Sequence, residues 1–436
     1  MRRYGNLIRE MDLFREFEWR EMLYDATEGL RDALNAGPMT GYIGFDPTAA
    51  SLHVGSLLPV MALARFQRAG HAPIAIVGGG TGLIGDPSGK TQERQLLSLE
   101  QVQANVDGLH AQLARFLDFD RAPNAARIVN NADWLVPMDL MSFLRDVGKH
   151  FTVNYMLQKE SVKRRLDQEE GISYTEFSYL LTQAYDFVML FDRYHCSLQM
   201  GGSDQWGNIT AGIDLIRKLR GGKAHGLVLP LVTTASGVKF GKTEAGTVWL
   251  DPALTSPFKF YQFWLNTDDR DVVRYLKFFT FLGEAEVDAL ARAVDERPAS
   301  REAQRALALA VTDLVHGAEQ RHRAEQASTL LFAGGVRHAS KAEILTVFED
   351  APSTEMSVTD FGDDGVPVTR LITASGMEPS GSAATRLIRG GGFYLNDERV
   401  SNEKQRVTID QAIEGEIFVL RKGQRDRRII RVKRTS

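Results

Sequence analysis

A single cysteine, Cys196, in a chain of 436 residues rules out an intramolecular disulfide and any cysteine-rich metal centre. Long apolar runs are missing too: none approaches the roughly 18 residues that a membrane-spanning helix needs. The opening segment, MRRYGNLIREMDLFREFEWREM, is broken by charges too often to read as a secretory leader. Internal repeats and low-complexity tracts are also absent. These absences leave the expectation of a cytoplasmic protein with no membrane partner, no protein-held metal and no tightly bound cofactor. With 43% hydrophobic and 25% charged residues, the composition is that of a globular chain long enough for two or three domains.

A large net charge is lacking as well, since the formal value is only −4, but its distribution is uneven. Residues 367–436 hold 14 Lys/Arg against 8 Asp/Glu, a net of +6. In the final RKGQRDRRIIRVKRTS the basic residues alternate with Ile429, Ile430 and Val432, which reads as strand rather than tail. A compact basic module favours phosphate backbones, so nucleic acid is the expected partner there.

What the chain does have is alternation. MTGYIGF, PIAIVG, RIVNN, SLQMGG and LVLPLVTT read as short strands between helical patterns such as TEFSYLLTQAYDFVMLF and NITAGIDLIRKL. The expected fold class is α/β with a mostly parallel sheet over residues 1–250. Residues 130–160 form an aromatic-rich helical insertion suited to a subunit interface, and 251–345 are helical. The turn-rich, acidic segment 346–366 reads as a linker, and the basic module occupies 367–436.

The glycine-rich IVGGGTGLIGDPSGKT, residues 76–91, invites two readings that its spacing defeats. A P-loop needs four residues between its first Gly and its Gly-Lys pair, whereas Gly85 and Gly89 enclose three. The dinucleotide pattern needs its third Gly inside a helix, whereas Gly85 precedes Asp86-Pro87-Ser88-Gly89, a turn. A glycine-rich turn after an apolar strand is the better reading, and it leaves Asp86, Lys90 and Arg94 unexplained.

Three further stretches carry polar groups where ligands bind. In GFDPTAASLHVGS a strand ends and a helix starts near His53, so Thr48 and His53 lie where a helix N-terminus meets an anion. Tyr179, Gln183 and Asp186 are spaced i, i+4, i+7, within about 60° of one another on one helix. Taken alone, that stripe is more often a solvated face. In GGSDQWGNI, glycines permit close backbone approach and Asp204 follows a strand end, where an acid takes a ribose hydroxyl. KFGKT sets Lys239 and Lys242 on a glycine-containing loop suited to polyphosphate.

The order of these stretches is specific. HVGS at 53–56 and KFGKT at 239–243 resemble the HIGH and KMSKS signatures of class I aminoacyl-tRNA synthetases. YIGFDPTAASLHVG, GGGTGLIGDPSGKT, NNADW, GKHFTVNYML, FSYLLTQAYDF and GGSDQWGNITAG resemble the tyrosine branch of that family, and EPSGSAATRLIRGGGFYLNDERV resembles a small RNA-binding module. The resemblance implies a Rossmann-like catalytic domain, a helical anticodon-binding domain and a C-terminal RNA-binding module. It implies a homodimer acting on L-tyrosine, ATP and tRNA, with Mg2+ accompanying the phosphates.

The resemblance also distributes roles. Tyr42 and Asp186 would face a phenol; Asp86, Tyr179 and Gln183 an ammonium; Gln205 a carboxylate. Gly44, Asp46, His53, Ser56, Gly202, Asp204 and Lys242 would line the ATP site, Asp204 on the ribose. Thr48, His53, Lys239, Lys242 and Thr243 would surround the terminal phosphates, with Lys90 and Arg94 on a segment contacting pyrophosphate. The chain departs from the signatures at Ser56, where HIGH ends in His, and at Gly241 and Thr243, where KMSKS has Ser. Two other readings stay open at this point: a small-molecule nucleotidyltransferase, disfavoured by the basic C-terminal module, and a catalytically idle RNA-binding relative, disfavoured by the intact acids and loop lysines.

Overall fold

The structure, a computed structural model, describes residues 12–47, 49–86, 98–120, 123–169, 171–235, 237, 240–243, 246–332, 335–348, 351–423 and 426–433. The chain divides into two compact units. One comprises Met1–Ser256 with Phe263–Gly317, the other Pro257–Gln262 with Ala318–Ser436.

The first unit is built on a six-stranded sheet. Its strands are β1 (Asp25–Ala26), β2 (Thr40–Phe45), β3 (Ala72–Val77), β4 (Arg127–Asn130), β5 (Cys196–Gly202) and β6 (His225–Leu229), in the order β1-β6-β5-β2-β3-β4. All neighbours are parallel except the two-residue β1, antiparallel to β6. β3 (APIAIV) and β6 (HGLVL) are nearly continuous apolar runs because helices cover both sheet faces. The chain runs outward from β2 through β3 to β4, then returns to place β5 and β6 on the other side of β2. The strand order therefore reverses between β2 and β5, and in such sheets ligands bind beyond the carboxyl ends at that point.

Two long helices flank this reversal. Tyr174–Tyr194 is capped by Ser173, whose side chain accepts from the Glu176 N–H, and ends on left-handed His195. It is held at its start by a buried ion pair, Arg165 to Glu176 at 2.9 Å. Trp206–Arg220 packs against it, with Gly212 closely apposed to the Phe187 ring.

The helices Asp269–Phe279, Glu284–Glu296 and Glu302–His316 cluster with the sheet instead of forming a body that starts at residue 251. The C-terminal carbonyls of Asp269–Phe279 receive the guanidiniums of Arg65 and Arg20, on Lys277, Phe278 and Thr280. That tie, between residues more than 200 apart, is invisible to local composition.

The second unit carries a five-stranded sheet in the order Glu398–Arg399, Phe393–Leu395, Ile417–Lys422, Asp426–Lys433, Ser353–Ser357. Ser353–Ser357 falls in the segment expected to be a linker, yet it pairs in parallel with Asp426–Lys433. The reason it escapes composition is that this edge strand buries only Met356 and is otherwise polar. One core beneath the sheet joins Phe361, Leu371, Ala384, Phe393, Phe418 and Ile430. A second, around Val336, Ile344, Phe348, Ile417 and Ile429, fills the other face.

Candidate active site

The carboxyl ends of β2 and β5 open onto a cavity of about 160 Å³. Its wall includes Tyr42, Gly44 and Asp46 from β2 and the turn after it, and Asp86 beyond β3. Tyr179, Gln183 and Asp186 come from the long helix, and Gly202 and Gln205 from the end of β5. A larger cavity of about 950 Å³ shares Asp46, Asp86 and Gln205, and extends past His53, Gly55, Asp204, Trp206 and Phe240. The i, i+4, i+7 stripe is thus a cavity wall, not a solvated face.

The deep end of the smaller cavity is built around Asp186, which is buried. Its Oδ2 accepts from Asn131 Nδ2 at 2.9 Å and its Oδ1 from Trp134 Nε1 at 2.7 Å. Burial lifts its carboxyl to about 7, against the pull of those two hydrogen bonds. The Tyr42 hydroxyl is buried with no hydrogen-bond partner among the described residues, and burial with the nearby Asp186 charge raises its pKa. Gln199, beside Tyr42 in register on β5, has a buried Oε1 with no described partner and lines the same cavity. Buried polar atoms are almost always paired, so unpaired ones converging on a cavity mark a place for a polar ligand.

At the other end, Asp86 Oδ2 accepts from Gln205 Nε2 at 2.9 Å, and Gln205 Oε1 accepts from Gln183 Nε2 at 3.2 Å. Two carbonyl-type acceptors and a carboxylate therefore share one wall with two amide donors.

The glycine cluster that resembled nucleotide motifs has a different purpose. A Cβ on Gly79 would sit 2.0 Å from Asn130 Oδ1, and the Gly80 N–H donates to Asn131 Oδ1 at 2.7 Å. The glycines let the turn close onto Asn130 and Asn131, the second of which donates to Asp186.

HVGS and FGKT, 187 residues apart, meet. The Val54 N–H donates to the Val248 carbonyl at 3.0 Å, and His53 bridges to Trp249. Gly241 has φ +81°, and a Cβ there would lie 2.7 Å from Val54 Cγ2. Where KMSKS has Ser, this chain thus has the one residue that fits both the backbone and the space. His53 Nδ1 accepts from the Gly55 N–H at 3.0 Å, which assigns the proton of a neutral ring to Nε2. Ser56 is half-buried at the start of helix Leu57–Arg68 and lines neither cavity. Asp204 folds back over Gly202, whose Cβ would meet Asp204 Oδ1 at 2.6 Å. Thr48, Lys90, Arg94 and Lys239 lie outside the described residues. For Lys242 and Thr243 only the backbone is described, as a short hairpin strand against Gly246–Thr247.

Asn131, Trp134 and Gln199 were not singled out from the sequence. The family word NNADW contains the first two, and a glutamine set between Leu198 and Met200 in a strand is the signal that marks Gln199.

Comparison with known proteins fixes the class. Residues 34–333 match the family "tRNA synthetases class I (W and Y)", and residues 343–430 match the "Tyrosine--tRNA ligase SYY-like C-terminal domain". The chain is 54% identical over 417 residues to the tyrosine--tRNA ligase of Roseiflexus castenholzii, covering 96% of this chain and 98% of that one. The chain belongs to the tyrosine branch of the class I tRNA synthetases. Among other members, the Geobacillus stearothermophilus tyrosine--tRNA ligase is 51% identical, with 97% of this chain and 100% of the relative covered. A C-terminally truncated mitochondrial tyrosyl-tRNA synthetase of Aspergillus nidulans shares the fold at TM-score 0.67 and 31% identity. That match covers 74% of this chain and 95% of that one. As a member of this class I family, the chain is an aminoacyl-tRNA ligase that uses ATP.

Proposed function

We propose that this chain activates L-tyrosine with ATP, giving tyrosyl-adenylate and pyrophosphate, and then passes the tyrosyl group to the 3′ end of its tRNA. The observation that carries the reading is the cavity end formed by Asp186 and the unpartnered Tyr42 hydroxyl. A phenol there gives Asp186 a third donor and gives Tyr42 its missing partner. The ammonium faces Asp86, Tyr179 and Gln183, and the carboxylate faces Gln205.

The carboxylate is already an anion, so its attack on the α-phosphate needs no side-chain base. Positioning and stabilisation of developing charge carry the step. Gly44, Asp46, Gly202 and Asp204 would hold the adenosine part, with Asp204 on the ribose. His53 would donate from Nε2 to a phosphate, alongside Thr48, Lys239, Lys242 and Thr243, while Lys90 and Arg94 would meet the departing pyrophosphate. Mg2+ would arrive with the ATP phosphates. In the second step the tRNA terminal hydroxyl attacks the adenylate carbonyl and AMP leaves.

Phenylalanine in this site leaves Asp186 and Tyr42 without their partner. A site built around a substrate hydroxyl rejects the analogue lacking it by about 10⁴–10⁵, and tyrosyl-tRNA synthetases are themselves the example that set this magnitude. Tyrosine-dependent ATP–pyrophosphate exchange tests the reading, with phenylalanine and tryptophan in parallel. Exchange with tyrosine is expected, and folded protein without it would overturn the reading.

The reading extends to a cytoplasmic homodimer, which cell fractionation and solution mass check. Val136, Leu140, Met141, Leu144 and Val153 are exposed on the helical insertion, where Val136 and Leu140 line a groove of about 350 Å³. Apolar patches of this kind mark association surfaces. No helix among the described residues is long and apolar enough to cross a membrane.

A further inference from the structure

Asn208 lies in the first turn of helix Trp206–Arg220 and is buried. Its Nδ2 donates to Gln183 Oε1 at 2.9 Å and to Gln205 Oε1 at 3.0 Å. Neither cavity counts it among its wall residues. Its effect is on the two glutamines that are.

The direction of every amide in this cluster follows from the carboxylate at its edge. An ionised Asp86 only accepts, so Gln205 must turn its Nε2 toward it. Gln205 Oε1 then faces Gln183 and Asn208, and both must offer NH2 groups. That fixes Gln183 with its nitrogen toward Gln205 and its oxygen toward Asn208, whose second N–H meets it. One nitrogen thus holds both glutamine oxygens, and any oxygen in its place would oppose both.

We propose that Asn208 is a positioning residue that sets the amide polarity of Gln183 and Gln205. By doing so it determines which part of the pocket receives the ammonium of an α-amino acid and which the carboxylate. The inference rests on the assignment of this cavity to tyrosine. A glutamine turned end for end would present NH2 to the ammonium or oxygen to the carboxylate, and either is repulsive.

The test is Asn208→Asp, which keeps the shape and exchanges the donor for an acceptor, with Asn208→Ala beside it. ATP–pyrophosphate exchange is measured for both against wild type, together with thermal melting. Asn208→Asp should raise the KM for tyrosine about tenfold or more while the KM for ATP stays within about twofold, as expected for opposed buried polar groups. Asn208→Ala should raise it by less, because an empty position opposes nothing. A tyrosine KM within twofold of wild type in Asn208→Asp would overturn the proposal. So would a parallel rise in both KM values with a lowered melting temperature, the signature of a merely structural role. If Asn208→Asp does not fold, Asn208→Ala decides by the same split between the two KM values. Wild-type protein that exchanges with no amino acid would overturn the pocket assignment itself, which separates the two failures.

Discussion

Asp186 is buried at the cavity wall between an indole N–H and an asparagine amide, and its carboxyl is pushed up to about 7. A folded-state value above the unfolded one couples protonation to folding. This group's contribution is fully present below about pH 4 and is lost as pH rises through about 7. The site thus holds a carboxylate at a cost to stability, as binding sites commonly do. The melting temperature of wild type minus that of Asp186→Asn should therefore fall between pH 5 and pH 8.5. A constant packing effect of the substitution cancels in that difference, and a rise would contradict the account. Much at this scale was legible: Tyr179, Gln183 and Asp186 share a helix face by arithmetic alone. Asn131, Trp134 and Gln199 were not, because the short helix after β4, capped by Asn131 and carrying Trp134, and the separate strand β5 bring them to Asp186 and Tyr42.

Elements, not residues, explain why HVGS and FGKT lie together. Short motifs were readable as words, and their order suggested one site, but only the chain path shows that Val54 and Gly241 nearly touch. Gly241→Ala places a Cβ against Val54 on a backbone at φ +81°, a strain of about 1–3 kcal/mol. The expected result is a fall of about tenfold in the exchange rate at saturating tyrosine, with the tyrosine KM within twofold of wild type. Full activity in this variant would show that the close approach is dispensable. The edge strand Ser353–Ser357 is the counterexample to legibility, since a polar strand with one buried side chain looks like a linker until its partner is known. The helices after residue 263 are another, since the two arginines that fasten Asp269–Phe279 lie far upstream.

Two compact units and an uneven charge describe the whole molecule. The basic strand Asp426–Lys433 alternates buried Ile430 and Val432 with exposed Arg431 and Lys433, so its charge is presented on a built surface, as its sequence suggested. A chain ended before residue 343 should keep tyrosine-dependent exchange and lose most transfer to tRNA; undiminished transfer would remove the C-terminal module from RNA binding. Leu140→Glu with Met141→Glu should convert a dimer to monomers by sedimentation, and an unchanged mass would place the interface elsewhere. The most direct measurement is the ratio of kcat/KM for tyrosine over phenylalanine in ATP–pyrophosphate exchange, in wild type and in Tyr42→Phe. The account predicts a ratio of order 10⁴ or more in wild type and a clear drop in the variant, since each buried hydrogen bond to the phenol contributes about 1–3 kcal/mol. Comparable use of the two amino acids by wild type would contradict the assignment of this pocket to the phenol.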